Sequence, residues 1–136
     1  ESVIQDVDIP LARAGEFLDF LLREIGIVPV WVCPIRPADA AERFTLFPLE
    51  PGVPYANFGF WDTVESDARR EPGHFNRLLE GEVMRLGGVK SLYSDSFFTR
   101  AQFARAYRMD EYAALKAKYD PAGRMLGLYE KCVLRG

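Results

Sequence analysis

The chain has 136 residues, 49% of them hydrophobic and 27% charged, the range of a single globular domain able to bury its own core. With 17 Lys and Arg against 20 Asp and Glu it carries no basic field that would collect phosphates, so nucleic acid is excluded as an expected partner. No apolar run nears the roughly 20 residues that cross a bilayer, and the opening ESVIQDVD lacks the features of a signal peptide, so no transmembrane segment and a cytoplasmic location are expected.

Val3, Val7 and Ile9 alternate with Ile4, Asp6 and Asp8, the patterning of a strand over 3–9. Strand patterning from almost the first residue points to a piece of a longer protein. Pro10 suits the first turn of a helix, where its missing N–H would have been unpaired anyway. Leu11, Ala14, Leu18, Leu21, Leu22 and Ile25 then recur at three- and four-residue spacing up to Gly26, an amphipathic helix with a glycine stop. The apolar run 27–33, between Gly26 and Pro34, reads as a second strand, with Pro29 placing it at an edge or bulge. Residues 36–54 form a long proline-broken loop, with a short extended piece expected at 44–47. Tyr55–Trp61 is the third strand, and 62–73 a charged connection.

Phe75, Leu78, Leu79, Val83 and Leu86 mark a second amphipathic helix over 74–86, ended by Gly87-Gly88. A fourth strand is expected over 89–93. The order strand, helix, strand, strand, helix, strand is the split β-α-β pattern of ferredoxin-like folds. The expected class is therefore α+β: an antiparallel sheet with helices on one face and extra C-terminal helices. Of those, Thr99 with Gln102 opens one with capping-box spacing, and Asp110 is expected to cap another that Pro121 terminates.

The chain offers little chemistry of its own. No Gly-rich phosphate loop is present, and the single histidine, His74, has no second ligand at a recognised spacing, so no metal is expected. Cys33 and Cys132 are expected to stay reduced. What remains is a surface. With both helices on one face of the sheet, Trp31 and Cys33 of the second strand and Tyr55, Asn57, Gly59 and Trp61 of the third point the other way. Aromatic walls, a few polar atoms and a gap at glycine describe a site for a flat or apolar ligand, or an interface that another domain covers. The alternative is that these aromatics pack beneath the 36–54 loop.

Four segments carry a resemblance: VPVWVCP at 28–34, YANFGFWD at 55–62, KSLYSDSFF at 90–98 and YAALKAKYDPAGRMLGLYEKC at 112–132. In that order they resemble the C-terminal part of the sterol delta-24-reductase family of FAD-linked oxidoreductases, within the wider vanillyl-alcohol-oxidase-like group. The resemblance implies a single cap (substrate-side) domain spanning 1–136, laid over an FAD held by a separate domain of the same parent chain. It also implies hydride transfer between FAD and a small organic, sterol-like substrate, with no activity expected from this fragment alone. By the same likeness Trp31, Cys33, Asn57, Gly59 and Trp61 would look toward flavin and substrate, and Tyr93 and Asp95 would lie at the pocket rim. Lys116, Lys118 and Tyr119 would dock the C-terminal segment against the FAD domain.

Each of these residues has a plainer reading: Tyr93 closing the core, Asp95 capping a turn, the lysines on a solvated helix face. No catalytic acid or base follows from the sequence. The competing function is a free-standing ferredoxin-like module that binds a small ligand, or dimerises, through the same open face.

Overall fold

A computed structural model describes residues 1–39, 41–65 and 69–135. Val3, Val7 and Ile9 are buried on one side of the first strand, β1 (Ser2–Pro10), and this strand becomes the centre of the molecule. Pro10 hands over to a 3₁₀ turn, Leu11–Arg13, and then to helix α1 (Ala14–Phe20). The helix continues with wider π-type winding through Leu21–Ile25 until Gly26 closes it in the left-handed region, φ 78°, where glycine carries no Cβ penalty. The remaining elements are β2 (Trp31–Ile35), β3 (Tyr55–Thr63), α2 (His74–Arg85), β4 (Val89–Lys90), α3 (Arg100–Ala106) and α4 (Met109–Tyr119), with a final π-type turn, Glu130–Leu134.

The strands form one sheet in the order β2-β3-β1-β4, every neighbouring pair antiparallel. That is the arrangement the split β-α-β pattern anticipates. The main core lies between the sheet and the first two helices: Val7, Phe58 and Phe60 from strands meet Phe17 and Leu21 from α1 and Leu79 and Val83 from α2. Phe17 stacks at a tilt against Phe58, ring centroids 5.0 Å apart, a contact worth more than its area alone. A second cluster forms beyond β4, where Val89, Phe98, Phe103, Tyr107 and Tyr129 pack together and Phe47 and Leu49 of the long loop join them. Thr99 does cap α3: its hydroxyl accepts from Gln102 N at 3.3 Å, and Gln102 Oε1 accepts from Thr99 N at 2.8 Å.

Several boundaries differ from the sequence expectation, each for a local reason. The second strand begins at Trp31 rather than 27: Pro29, whose bond to Val28 is cis, has no N–H to give a ladder. The strand then runs through Pro34, which an edge strand tolerates because only β3 pairs with it. The fourth strand stops at Lys90 instead of reaching Tyr93; Ser91 N still bonds Asp6 O at 2.9 Å, and the chain then turns. The extended piece expected at 44–47 is a turn closed by Phe47 N donating to Phe44 O at 3.1 Å. Asp110 lies inside the first turn of α4, and the residue at the cap position is Arg108, φ 47°. Asp110 therefore complements the helix dipole rather than capping the helix.

Candidate functional site: an open aromatic face with a carboxylate–tyrosine contact

Directly paired residues of neighbouring strands share a face. On the face away from α1 and α2, Trp31, Gly59 and Asp6 therefore form one row and Cys33, Asn57 and Asp8 the next, with Trp61 beside Ile4. Trp31 is 64% exposed and Trp61 66%, so the long loop does not cover them as the alternative reading required. It sends Phe47 and Leu49 to the second cluster with Val89 and reaches Tyr55, whose hydroxyl accepts from Glu50 N at 2.9 Å.

Gly59 lies in the middle of this face, and the expected gap there is filled by the side chain of Asp6. A Cβ built there would lie 2.6 Å from Asp6 Oδ1 and 3.5 Å from the Trp31 Cβ, so the carboxylate leans over the glycine where a larger residue would collide with it. The other oxygen, Oδ2, accepts a hydrogen bond from Tyr93 Oη at 2.7 Å. Burial, together with the hydrogen bond to Asp6 and the charge there, pushes the Tyr93 phenol up to about 12. Two positions along β1, Asp8 is only 4% exposed and accepts from Asn57 Nδ2 at 2.9 Å. Burial raises its pKa above the ordinary carboxylate value; the Asn57 hydrogen bond opposes this and the neighbouring Asp6 charge adds to it.

The turn that carries Tyr93 is pinned from beneath by buried polar side chains. Lys90 Nζ donates to Asp95 O at 2.8 Å and to Ser96 Oγ at 2.6 Å. Gln5 Nε2 donates to the same Asp95 carbonyl at 3.2 Å, and Ser94 Oγ donates to Gln5 Oε1 at 3.0 Å. Glu80 of α2 accepts from Phe97 N at 2.9 Å. The short β4 is thus what frees Tyr93 to swing onto the open face, and the buried network fixes where it lands.

Of the residues singled out from sequence, Trp31, Cys33, Asn57, Gly59, Trp61 and Tyr93 come together on this face. Asp95 lies at its margin, beside a cavity of about 270 Å³ lined also by Ser2, Ile4, Tyr93 and Ser94, with its carboxylate paired to Arg135 at 2.6 Å. Lys116, Lys118 and Tyr119 sit on α4, which buries no residue. Lys116 Nζ is bound to the Asp120 carboxylate and to Met125 O; its bond to Asp120, together with the N–H groups of Met125 and Arg124, holds that carboxyl down at about 2. Lys118 lies 5.0 Å from the centre of the exposed Tyr119 ring.

Sequence reasoning missed Asp6 and Asp8. Their signal was present: two aspartates at i and i+2 in a strand whose other face is Val3, Val7 and Ile9. Among the described residues no three His, Cys, Asp or Glu side chains converge as a metal site. No described helix is long and apolar enough to cross a membrane.

Fold and face together define the chain as a ferredoxin-like α+β domain with helices on one side of its sheet and an uncovered aromatic surface on the other. Its sequence is similar to Delta(24)-sterol reductases over nearly its whole length. It is 25% identical to the Delta(24)-sterol reductase of Arabidopsis thaliana over 146 residues, covering 95% of this chain and 26% of that protein. It is 25% identical to a Delta(24)-sterol reductase homolog of Caenorhabditis elegans over 134 residues, covering 98% and 25% respectively. The Pisum sativum Delta(24)-sterol reductase is 24% identical over 155 residues, covering 96% and 26%. The chain thus spans about a quarter of the length of these curated relatives. No family model matches it, and no solved structure does.

Proposed function

We propose that this chain is the cap domain of an FAD-dependent oxidoreductase, and that its open face closes over a flavin and a sterol-like substrate held by the rest of the parent protein. The observation that carries this reading is the pair of exposed indoles, Trp31 and Trp61, on the sheet face that the protein's own loop leaves bare. A contiguous apolar patch of this kind calls for a partner, and the similarity to Delta(24)-sterol reductases supplies its class.

A flavin ring fits this arrangement in one respect and its phosphates do not. The exposed rings of Trp31 and Trp61 offer a broad apolar surface on which a planar ring can stack, with the Asp6 carboxylate filling the space over Gly59 between them. Of the lysines in the C-terminal motif, Lys116 is already committed to Asp120 and Met125 and Lys118 lies against the Tyr119 ring, and the chain has no glycine-rich cradle. The pyrophosphate therefore belongs to the other domain. When bound, the flavin supplies the hydride chemistry; this chain shapes the pocket, orients the substrate and keeps water out.

The test is to express the full parent reading frame beside this fragment and record both visible spectra. A flavin spectrum in the parent, absent from the fragment and lost when the upstream half is deleted, supports the reading. A parent without flavin overturns it.

A further inference from the structure

Resting on that reading, we propose that the cavity beside Tyr93 receives the polar end of the substrate, that the group it takes is a neutral hydroxyl, and that Asp95 determines this choice. The sheet register puts the cavity on the open face. Ser2 and Ile4 stand at alternate positions of β1 in line with Asp6, and Ile4 is paired directly with Trp61 on β3. On the other side of Ile4 the turn after β4 supplies Tyr93, Ser94 and Asp95, enclosing about 270 Å³. A space of that size takes one end of a ring system and leaves the rest of it against the exposed indoles.

What each polar group around the cavity still offers decides the ligand. Asp95 Oδ1 is paired with Arg135 at 2.6 Å, the side chain is half-exposed, and Oδ2 accepts no hydrogen bond from the described residues. Ser94 Oγ directs its hydrogen at Gln5 Oε1 and keeps its lone pairs. Tyr93 likewise directs its hydrogen at Asp6. Ser2, at the exposed end of β1, carries the one hydroxyl of this group free to donate among the described residues. Acceptors therefore outnumber donors, and the site is completed by a ligand that brings a hydrogen.

A hydroxyl does so. Its hydrogen goes to Asp95 Oδ2 and its oxygen accepts from Ser2. A ketone in the same place brings no hydrogen and leaves Oδ2 unpaired once the face is covered, which is how a buried polar site rejects an analogue lacking the donor. A carboxylate is disfavoured by charge. Arg135 is already neutralised by Asp95, and Asp6 adds a negative charge that no Lys or Arg among the described residues pairs with. The position of Asp95 is set in advance: Lys90 Nζ and Gln5 Nε2 hold its carbonyl oxygen at 2.8 and 3.2 Å, so little freedom is lost when the hydroxyl binds.

The experiment titrates the flavin-loaded parent protein with an unsaturated sterol and with the ketone made by oxidising its hydroxyl, each read by the change in the visible spectrum of the bound flavin. The sterol is expected to bind about 10-fold more tightly than the ketone. Asp95→Ala is expected to abolish that preference by weakening the sterol alone, and Asp95→Asn, which keeps an acceptor oxygen, to retain part of it. Arg135→Ala breaks the same exposed ion pair but leaves Oδ2 in place, and is expected to keep the preference. Ser2→Ala is expected to weaken both ligands about threefold, since the oxygen of each accepts from it. An unmodified protein that binds the two within twofold, a preference that survives Asp95→Ala, or one lost equally in Arg135→Ala overturns the proposal. A parent that binds no flavin instead overturns the cap-domain reading, and this assignment with it, an outcome the spectrum reports before any ligand is added.

Discussion

Lys90 Nζ lies 3.6 Å from the Glu80 carboxylate beneath the sheet, the two side chains 1% and 3% exposed. Burial raises the Glu80 pKa and lowers that of Lys90, with their mutual attraction opposing both shifts. Lys90 also holds the Asp95 carbonyl and Ser96, and Glu80 holds Phe97 N. This pair ties α2 to the turn that presents Tyr93. Replacing Lys90 by Met leaves a buried carboxylate uncompensated and is expected to cost about 3–5 kcal/mol, read as a drop in thermal midpoint. The double substitution Lys90→Met with Glu80→Gln should recover much of that loss, because no unpaired charge remains.

Asp8 gives a pH signature. Its folded-state pKa is raised above the unfolded value of 3.8, by burial first. The stability associated with its protonated form is therefore fully present below pH 3.8 and is lost as pH rises through the folded pKa. Asp8→Asn keeps the oxygen that Asn57 bonds and removes the charge. It is expected to stabilise the chain by about 1 kcal/mol at neutral pH and to confer no advantage below the unfolded pKa. Denaturation curves of the two proteins that stay parallel across that range would contradict the assignment.

Gly59 and Gly88 make a matched comparison. At Gly59 the collision is with the end of a side chain, Asp6 Oδ1 at 2.6 Å; at Gly88 a Cβ meets the Asp8 carbonyl oxygen at 2.7 Å and Ile9 Cδ1 at 2.6 Å. Gly59→Ala is expected to shift Asp6 with under about 1 kcal/mol of lost stability, and to bring the Tyr93 phenol down from about 12, seen by ultraviolet titration. Gly88→Ala must move backbone and core and should cost about 1–3 kcal/mol.

Core and face separate cleanly in the same way. Phe17, fully buried against Phe58 and Phe60, should cost about 3–5 kcal/mol when cut to Ala. Trp61→Ser on the open face should leave the chain's thermal midpoint within about 0.5 kcal/mol equivalent. On the cap-domain reading proposed above, the same change in the longer protein should weaken flavin retention or substrate binding, measured by the spectrum and by a substrate titration.

The element order and the two faces of the sheet were readable because Val3, Val7 and Ile9 alternate, and because Phe58 and Phe60 alternate with Asn57, Gly59 and Trp61 at period two. Period and polarity carry that information locally. Asp6 was overlooked because an aspartate in a strand reads as facing water, and nothing near it in sequence announces Tyr93, 87 residues away. The turn after Lys90 was equally hidden: a buried lysine looks like a strand's polar edge until Glu80 and Ser96 are seen to satisfy it. Lys116 was expected to help dock the C-terminal segment against another domain, and nothing in its sequence neighbourhood shows that the loop after α4 folds back and engages it through Asp120 and Met125.

The two margins of the sheet are poor templates for further strands. One is β2, interrupted by Pro34, and the other is β4, two residues long before the chain turns away. Edge-to-edge addition, the route by which sheets grow into fibres, is thereby discouraged. Copies of this chain with the face uncovered are expected to associate indole face to indole face, in a two-fold pair that buries its own sticky surface and stops. The chain should therefore run as a dimer at high concentration, read by sedimentation or light scattering, rather than as an aggregate.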